Sequence, residues 1–208
     1  TVIKALGSKR VTGLVVAPTG HGGAIGEKVT VPCDCVAMSG GWTPSVHLFS
    51  QSRGKLAFDV ELDAFLPATS AQAERSAGAC RGVYDLAAVI ADGGKAGGGE
   101  LAPEATASFT GFHPVRVLPT DADASRVKAF VDFQNDVTAK DIKLAVREGF
   151  ESIEHVKRYT TTGMATDQGK TSNMNALGLV AGILDRPLPA VGTTTFRPPY
   201  TPVTFGAL

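Results

Sequence analysis

Apolar positions recur with two spacings along this chain, and the change from one to the other divides it. In the first part, residues 11–16 and 29–38 carry the β-branched, apolar runs of strands, and the glycine-rich stretch 20–26 between them reads as a hairpin connection. Residues 74–80 predict a short strand that leads through Arg81-Gly82 into a helix over 83–92. The stretch from Gly97 to Pro119 then separates two parts, taken as 1–112 and 113–208.

The second part carries helical spacing and helix punctuation. Thr138 is an N-cap, with Asp141 three positions on able to return a bond to its amide. Ile142, Ala145 and Val146 then share one face before Gly149 stops the helix in the left-handed conformation. Ser152 caps a second helix whose Ile153, Val156 and Tyr159 face inward, and Gly163 ends it. Asn173 caps a third, from Met174 to about Leu184, with Leu177, Val180, Ala181 and Leu184 as its buried stripe and Pro187 and Pro189 closing it. The expected fold class is an α/β remnant of a Rossmann-like dinucleotide-binding domain followed by a small all-α helical domain.

Charge and composition narrow the function classes. Lys plus Arg is 20 and Asp plus Glu is 20, so no net basic field draws in nucleic acid or an anionic membrane. No apolar run reaches the roughly 20 residues that span a bilayer, and no basic start with an apolar stretch and cleavage site suggests export. Cys33, Cys35 and Cys80 suit a reducing compartment, and the expected location is cytoplasmic. Cys33-x-Cys35 lacks the second pair or histidines of a metal site and reads as buried strand cysteines, so no metal is expected. His21, His47, His113 and His155 stand without a nucleophile or carboxylate at triad spacing, and no catalytic residue is assigned.

Two segments carry candidate binding chemistry. Gly163 to Asn173 resembles a phosphate-binding P-loop but has five residues, not four, between its first glycine and Gly169-Lys170-Thr171, and it follows a helical pattern where such a loop follows a strand. What survives is a glycine, a lysine and two hydroxyls just before a helix N-terminus, a place that attracts phosphate. Backbone amides from Thr166 through Asp167, Gln168 and Gly169 to Thr171, the Lys170 charge and the Thr171 and Ser172 hydroxyls are candidates for gripping a flavin phosphate. Gln168 or Asn173 would reach ribityl or ring atoms, with Lys157 and Arg158 adding charge. A solvated loop with ordinary caps is the alternative. In the second segment, Ser39-Gly40-Gly41-Trp42-Thr43-Pro44 follows a predicted strand, where glycines leave room for a dinucleotide. A tight turn with Trp42 packed on the core is equally open.

The order of several runs points to a family. Phe130 to Thr138, Ala145 to Phe150, His155 to Thr161, the loop itself and Gly192 to Pro202 closely resemble the alpha subunit of heterotetrameric sarcosine oxidase, and Ser39 to Gln51 resembles the end of that subunit's dinucleotide-binding region. Coverage is nearly the whole chain, but family members are much longer, and the chain reads as a fragment lacking the Gly-x-Gly-x-x-Gly turn. Where flavin-disulfide-reductase-like units carry a Gly-Asp pair on ribityl oxygens, this chain has Ala77-Gly78-Ala79-Cys80, which argues against an FAD role for the first part.

The resemblance implies a helical part similar to the bacterioferritin-associated-ferredoxin-like domain, without its thiolates, since Asp132-Phe133-Gln134 and residues 165–169 replace the cysteine pairs. It implies FMN shared with a beta subunit, FAD in that partner, an NAD site tipped toward Gly40 to Pro44, and smaller subunits besides. The implied reaction oxidises sarcosine to glycine, a one-carbon unit and hydrogen peroxide. Phe196-Arg197-Pro198-Pro199-Tyr200-Thr201-Pro202 is extended and docks a neighbour or serves as a linker. A noncatalytic assembly module, or the alpha subunit of an opine or proline dehydrogenase, remains the alternative.

Overall fold

The computed structural model describes residues 1–20, 24–38, 40–101, 103, 104, 123, 126–198, 201 and 203–207. In the first part β1 (Val2–Leu6), β2 (Gly13–Val16) and β3 (Val29–Pro32) form an antiparallel sheet in the order β1-β2-β3. A short α1 (His47–Gln51) leads into a hairpin of β4 (Lys55–Asp59) and β5 (Ala64–Thr69), turned by Asp59 Oδ1, which accepts from the Glu61 and Leu62 amides. A 3-10 turn (Gly78–Arg81) and α2 (Leu86–Ala96) follow. Asp85 caps α2 by accepting from the Ala88 amide at 3.1 Å.

The second part opens with a small hairpin, β6 (Phe130–Asp132) and β7 (Val137–Thr138), and continues into α3 (Ala139–Arg147), α4 (Ile153–Thr160), α5 (Asn173–Leu184) and α6 (Leu188–Val191). A 3-10 turn at Phe205–Ala207 comes last. The Thr138 amide and hydroxyl both donate to Asp141 Oδ2, at 2.8 and 2.6 Å. At the other end of α3, Gly149 has φ 96°, and its amide and that of Phe150 return to the Val146 and Ala145 carbonyls, as a glycine-stopped helix requires. α3 packs on α4 and α5, and α6 on α5. The core is theirs: Ile142, Ala145, Ile153, Val156, Ala176, Leu177 and Val180 are all at most 3% exposed, in one cluster drawn from residues 131–191.

Several sequence expectations change. The strand predicted over 29–38 ends at Pro32; beyond it, among the described residues of that run, only the Cys33 amide reaches back, to the Thr12 carbonyl at 3.4 Å, and a strand is defined by its ladder. Cys33 is half-buried and Cys35 exposed, so neither is a buried strand cysteine. Residues 74–80 are a loop and a 3-10 turn, because Gly78 at φ 69° breaks extension. The helix expected at 83–92 runs from Leu86 to Ala96, since Asp85 is its cap. Thr161, at φ 66°, ends α4 before Gly163, and Ser172 stands at the N-cap of α5 with Asn173 already inside. Tyr159 is 46% exposed and not inward-facing, and Trp42 is 63% exposed and does not pack on the core. The second part is not all-α, because β6 and β7 pair. The boundary at 112 and 113, Ser39, His21, His113, Pro199, Tyr200 and Pro202 lie outside the described residues. Among the described residues no helix is long and apolar enough to cross a membrane, and no three His, Cys, Asp or Glu side chains are grouped to hold a metal.

Candidate functional site

The loop between α4 and α5 is built around two carboxylates. Asp132, at the end of β6 and 2% exposed, accepts the Gln134 and Asn135 amides on Oδ1, and on Oδ2 the Gly163 amide at 2.7 Å and the Ser172 hydroxyl at 3.5 Å. It therefore ties the start and end of the loop to the β6–β7 turn. Asp167 organises the middle, accepting from the Gly169 amide at 2.9 Å, the Thr171 amide at 3.3 Å and the Thr171 hydroxyl at 2.9 Å. Four further amides turn inward too: Gln168 donates to the Ala165 carbonyl, Lys170 to that of Asp167, and Ser172 and Asn173 to that of Gly169. Thr166 spends its hydroxyl on Gln134 Oε1 at 2.8 Å.

Gln168 is the hinge of this loop. It and Gly169 are both left-handed, at φ 51° and 75°. The Gln168 carbonyl accepts from Asn173 Nδ2 at 3.2 Å and from His47 Nε2 at 3.3 Å, while its side chain donates to the Ala165 carbonyl and accepts from the Arg197 amide. Glycine is required next door, because a Cβ on residue 169 would lie 2.0 Å from Asn173 Oδ1. That Oδ1 atom is buried without a hydrogen-bond partner.

His47 comes from the other part of the chain. It is 4% exposed, and its ring lies 3.8 Å from that of Phe196, centre to centre. Burial pushes its pKa below the ordinary 6.5, against the raising effect of the Gln168 carbonyl; Lys170 lowers it further and Asp167 opposes. Lys157 is buried and donates to the Thr195 carbonyl at 2.8 Å; desolvation lowers its pKa against the influence of Glu154, which also accepts the Thr195 amide. Through these bonds α4 holds the strap 192–197.

Around His47 the two candidate segments meet. Thr43 and Pro44 of the glycine-rich segment with the adjoining Val46, Gly169, Lys170 and Asn173 of the Gly163–Asn173 loop with the adjoining Met174, and Thr193, Thr194 and Phe196 from the strap line one crevice, floored by Leu56, Phe65, Ile153 and Leu177. Its water-accessible volume is about 40 Å³, room for a few water molecules and far below a planar ring system. Gly40, Gly41 and Trp42 stay exposed outside it, with Gly41 at φ 92°. Thr166, Asp167, Thr171 and Ser172 do not line it; they hold the loop's shape. Asp132, His47 and Phe196 are the residues that sequence reasoning left unassigned to the site. A lone histidine with its partner 121 positions away gives no local signal, whereas the acid opening a Gln-Asn turn is a visible turn signature.

Residues 126–208 match the family model of the sarcosine oxidase A3 domain. Over 97% of its length the chain is 37% identical to the sarcosine oxidase subunit alpha of Corynebacterium sp. (strain P-1), and over 90% it is 43% identical to that of Rhizobium meliloti (strain 1021). The chain belongs to the sarcosine oxidase alpha-subunit family. It spans about a fifth of the length of these curated relatives, 22% and 20% respectively. The whole chain also superimposes, with a TM-score of 0.68 and 18% identity, on 44% of the crystal structure of L-proline dehydrogenase from P. horikoshii, which shows a shared mixed α/β fold. The crevice of this alpha-subunit family member lies where its A3-domain loop meets residues 43–47, outside the A3 match.

Proposed function

We propose that this chain contributes to a flavin-dependent amine oxidoreductase of the sarcosine oxidase type, as the part of an alpha subunit that presents one edge of an interfacial flavin site. The observation that carries the reading is the crevice in which Thr43 and Pro44 are brought against Gly169, Lys170 and Asn173. Its small volume suits an edge, with the larger share of the cofactor lying in a partner such as a beta subunit.

The loop does not fit a phosphate in its amides. Asp167 already stands where that anion would be bound, and the Thr171 and Ser172 hydroxyls are committed to Asp167 and Asp132. What fits a flavin is the crevice rim, where Lys170 supplies positive charge toward an electron-rich edge or a more distant phosphate. A bound FMN would supply redox chemistry, passing on electrons taken from the amine by FAD in the partner. NAD does not fit on this chain alone, because Gly40 to Trp42 are exposed and the sheets among the described residues are antiparallel, without the strand-turn-helix that cradles a pyrophosphate. Sarcosine as the amine, with glycine, a one-carbon unit and hydrogen peroxide as products, in a cytoplasmic heterotetramer, completes the reading.

A second reading, a noncatalytic assembly module, is favoured by the self-satisfied loop alone. Native mass spectrometry with a visible spectrum, on complexes captured through this chain, separates the two. Lys170→Ala is expected to lower the FMN content of such a complex severalfold with assembly intact. Undiminished flavin would remove Lys170 from the site, and a colourless wild-type assembly would select the second reading.

A further inference from the structure

Among the groups of the crevice, His47 has no role in the reading above, yet it is the most buried titratable side chain there and the one that crosses between the two parts of the chain. Its partner is a carbonyl, so Nε2 must carry the proton. The same carbonyl is taken by Asn173 Nδ2, and it belongs to Gln168, a non-glycine residue held left-handed. Such a backbone conformation persists only where its surroundings over-determine it. Phe196 against the imidazole fixes the ring plane, and the strap carrying Phe196 is in turn bonded to Gln168 through the Arg197 amide.

We propose that His47 is a positioning residue: its Nε2–H, donated across the chain to the Gln168 carbonyl, locks the Gln168-Gly169 turn and so sets Lys170 and Asn173 at the mouth of the crevice. The role rests on the cofactor-edge reading for its purpose. Burial and Lys170 keep the imidazole neutral near pH 7, with Asp167 acting in the opposite sense. Neutral histidine then has a choice of tautomers, and only the Nε2–H form serves.

The test reads the loop itself, on the full 208-residue chain without cofactor. NMR of the imidazole nitrogens is expected to show His47 protonated on Nε2, with amide exchange at Gly169 and Thr171 slowed. His47→Leu should speed that exchange by about tenfold or more, while His47→Gln, whose amide nitrogen reaches the same place, should stay within about threefold of the parent. A neutral ring carrying its proton on Nδ1, or exchange unchanged in the leucine variant, would overturn the assignment. If the leucine variant does not fold, the tautomer of the parent decides alone. Flavin content of the Lys170→Ala complex is untouched by either result, so failure here is distinct from failure of the cofactor reading.

Discussion

Asp132 anchors both ends of the loop from outside it, through the Gly163 amide and the Ser172 hydroxyl. Replacing it with alanine leaves the buried Gly163 amide and Ser172 hydroxyl, and the part-buried Gln134 and Asn135 amides, without their acceptor. Asp132→Ala is expected to destabilise the chain by about 3 kcal/mol, read as a lower urea midpoint at unchanged slope; a midpoint unmoved would mean water replaces the carboxylate. His47 adds a pH dependence whose sign follows from its lowered pKa. The unfolded chain takes up a proton near pH 6.5 that the folded chain resists, so stability is fully present above that value and falls as pH drops through the folded pKa. Between pH 7 and 5 the parent should therefore lose stability faster than His47→Gln, and parallel curves would refute that source of acid sensitivity. These residues mark the limit of what the sequence discloses. The Thr138 and Asp141 cap and the Gly149 stop were legible because their partners lie within a few positions. The clamps on Gly163 and Gln168 were not, because they come from 31 and 121 positions away.

At the scale of elements, helices of the second part were readable because each needs only its own apolar stripe and caps. Ile142, Ala145, Val156, Leu177 and Val180 are buried as their spacing requires. Strands need partners, and the strand expected at 29–38 stops at Pro32 where its ladder stops. The β4–β5 hairpin was missed because its turn is closed by Asp59 across a five-position span from Asp59 to Asp63, not by a short Asn-Gly or Asp-Gly pair. This difference predicts where stability resides. Ile142, fully buried between α3 and its neighbours, should cost about 3 kcal/mol when cut to alanine. Val31→Ala, on the exposed β3, should cost well under 1 kcal/mol. Thermal melts of the two variants check the contrast, and equal losses would mean that the two parts share one cooperative core.

For the whole molecule, that question of one core or two is decided by where burial is concentrated. The large core cluster lies within 131–191, whereas buried apolar residues of the first part are few: Ala17, Val46, Phe49 and Ala64. Val2, Val29, Val31, Met38 and Trp42 are exposed, and α2 buries none of its residues. A unit that covers so little apolar surface opens at small free energy, while the helical part holds close to the global value. The links between them are local: the His47–Gln168 bond, the His47–Phe196 contact and the apolar crevice floor. Limited proteolysis is therefore expected to cut within residues 1–46 first and to leave a resistant fragment containing 126–198. Amide exchange should follow, fast in β1–β3 and slowest in α3 and α5. In the assembly proposed above the same sites in the first part should gain protection, since exposed apolar residues such as Val29, Val31 and Trp42 are stabilised when a partner covers them. Equal protection across both parts of the isolated chain would contradict the division. A gain confined to the second part on assembly would instead place the interface on the helical unit.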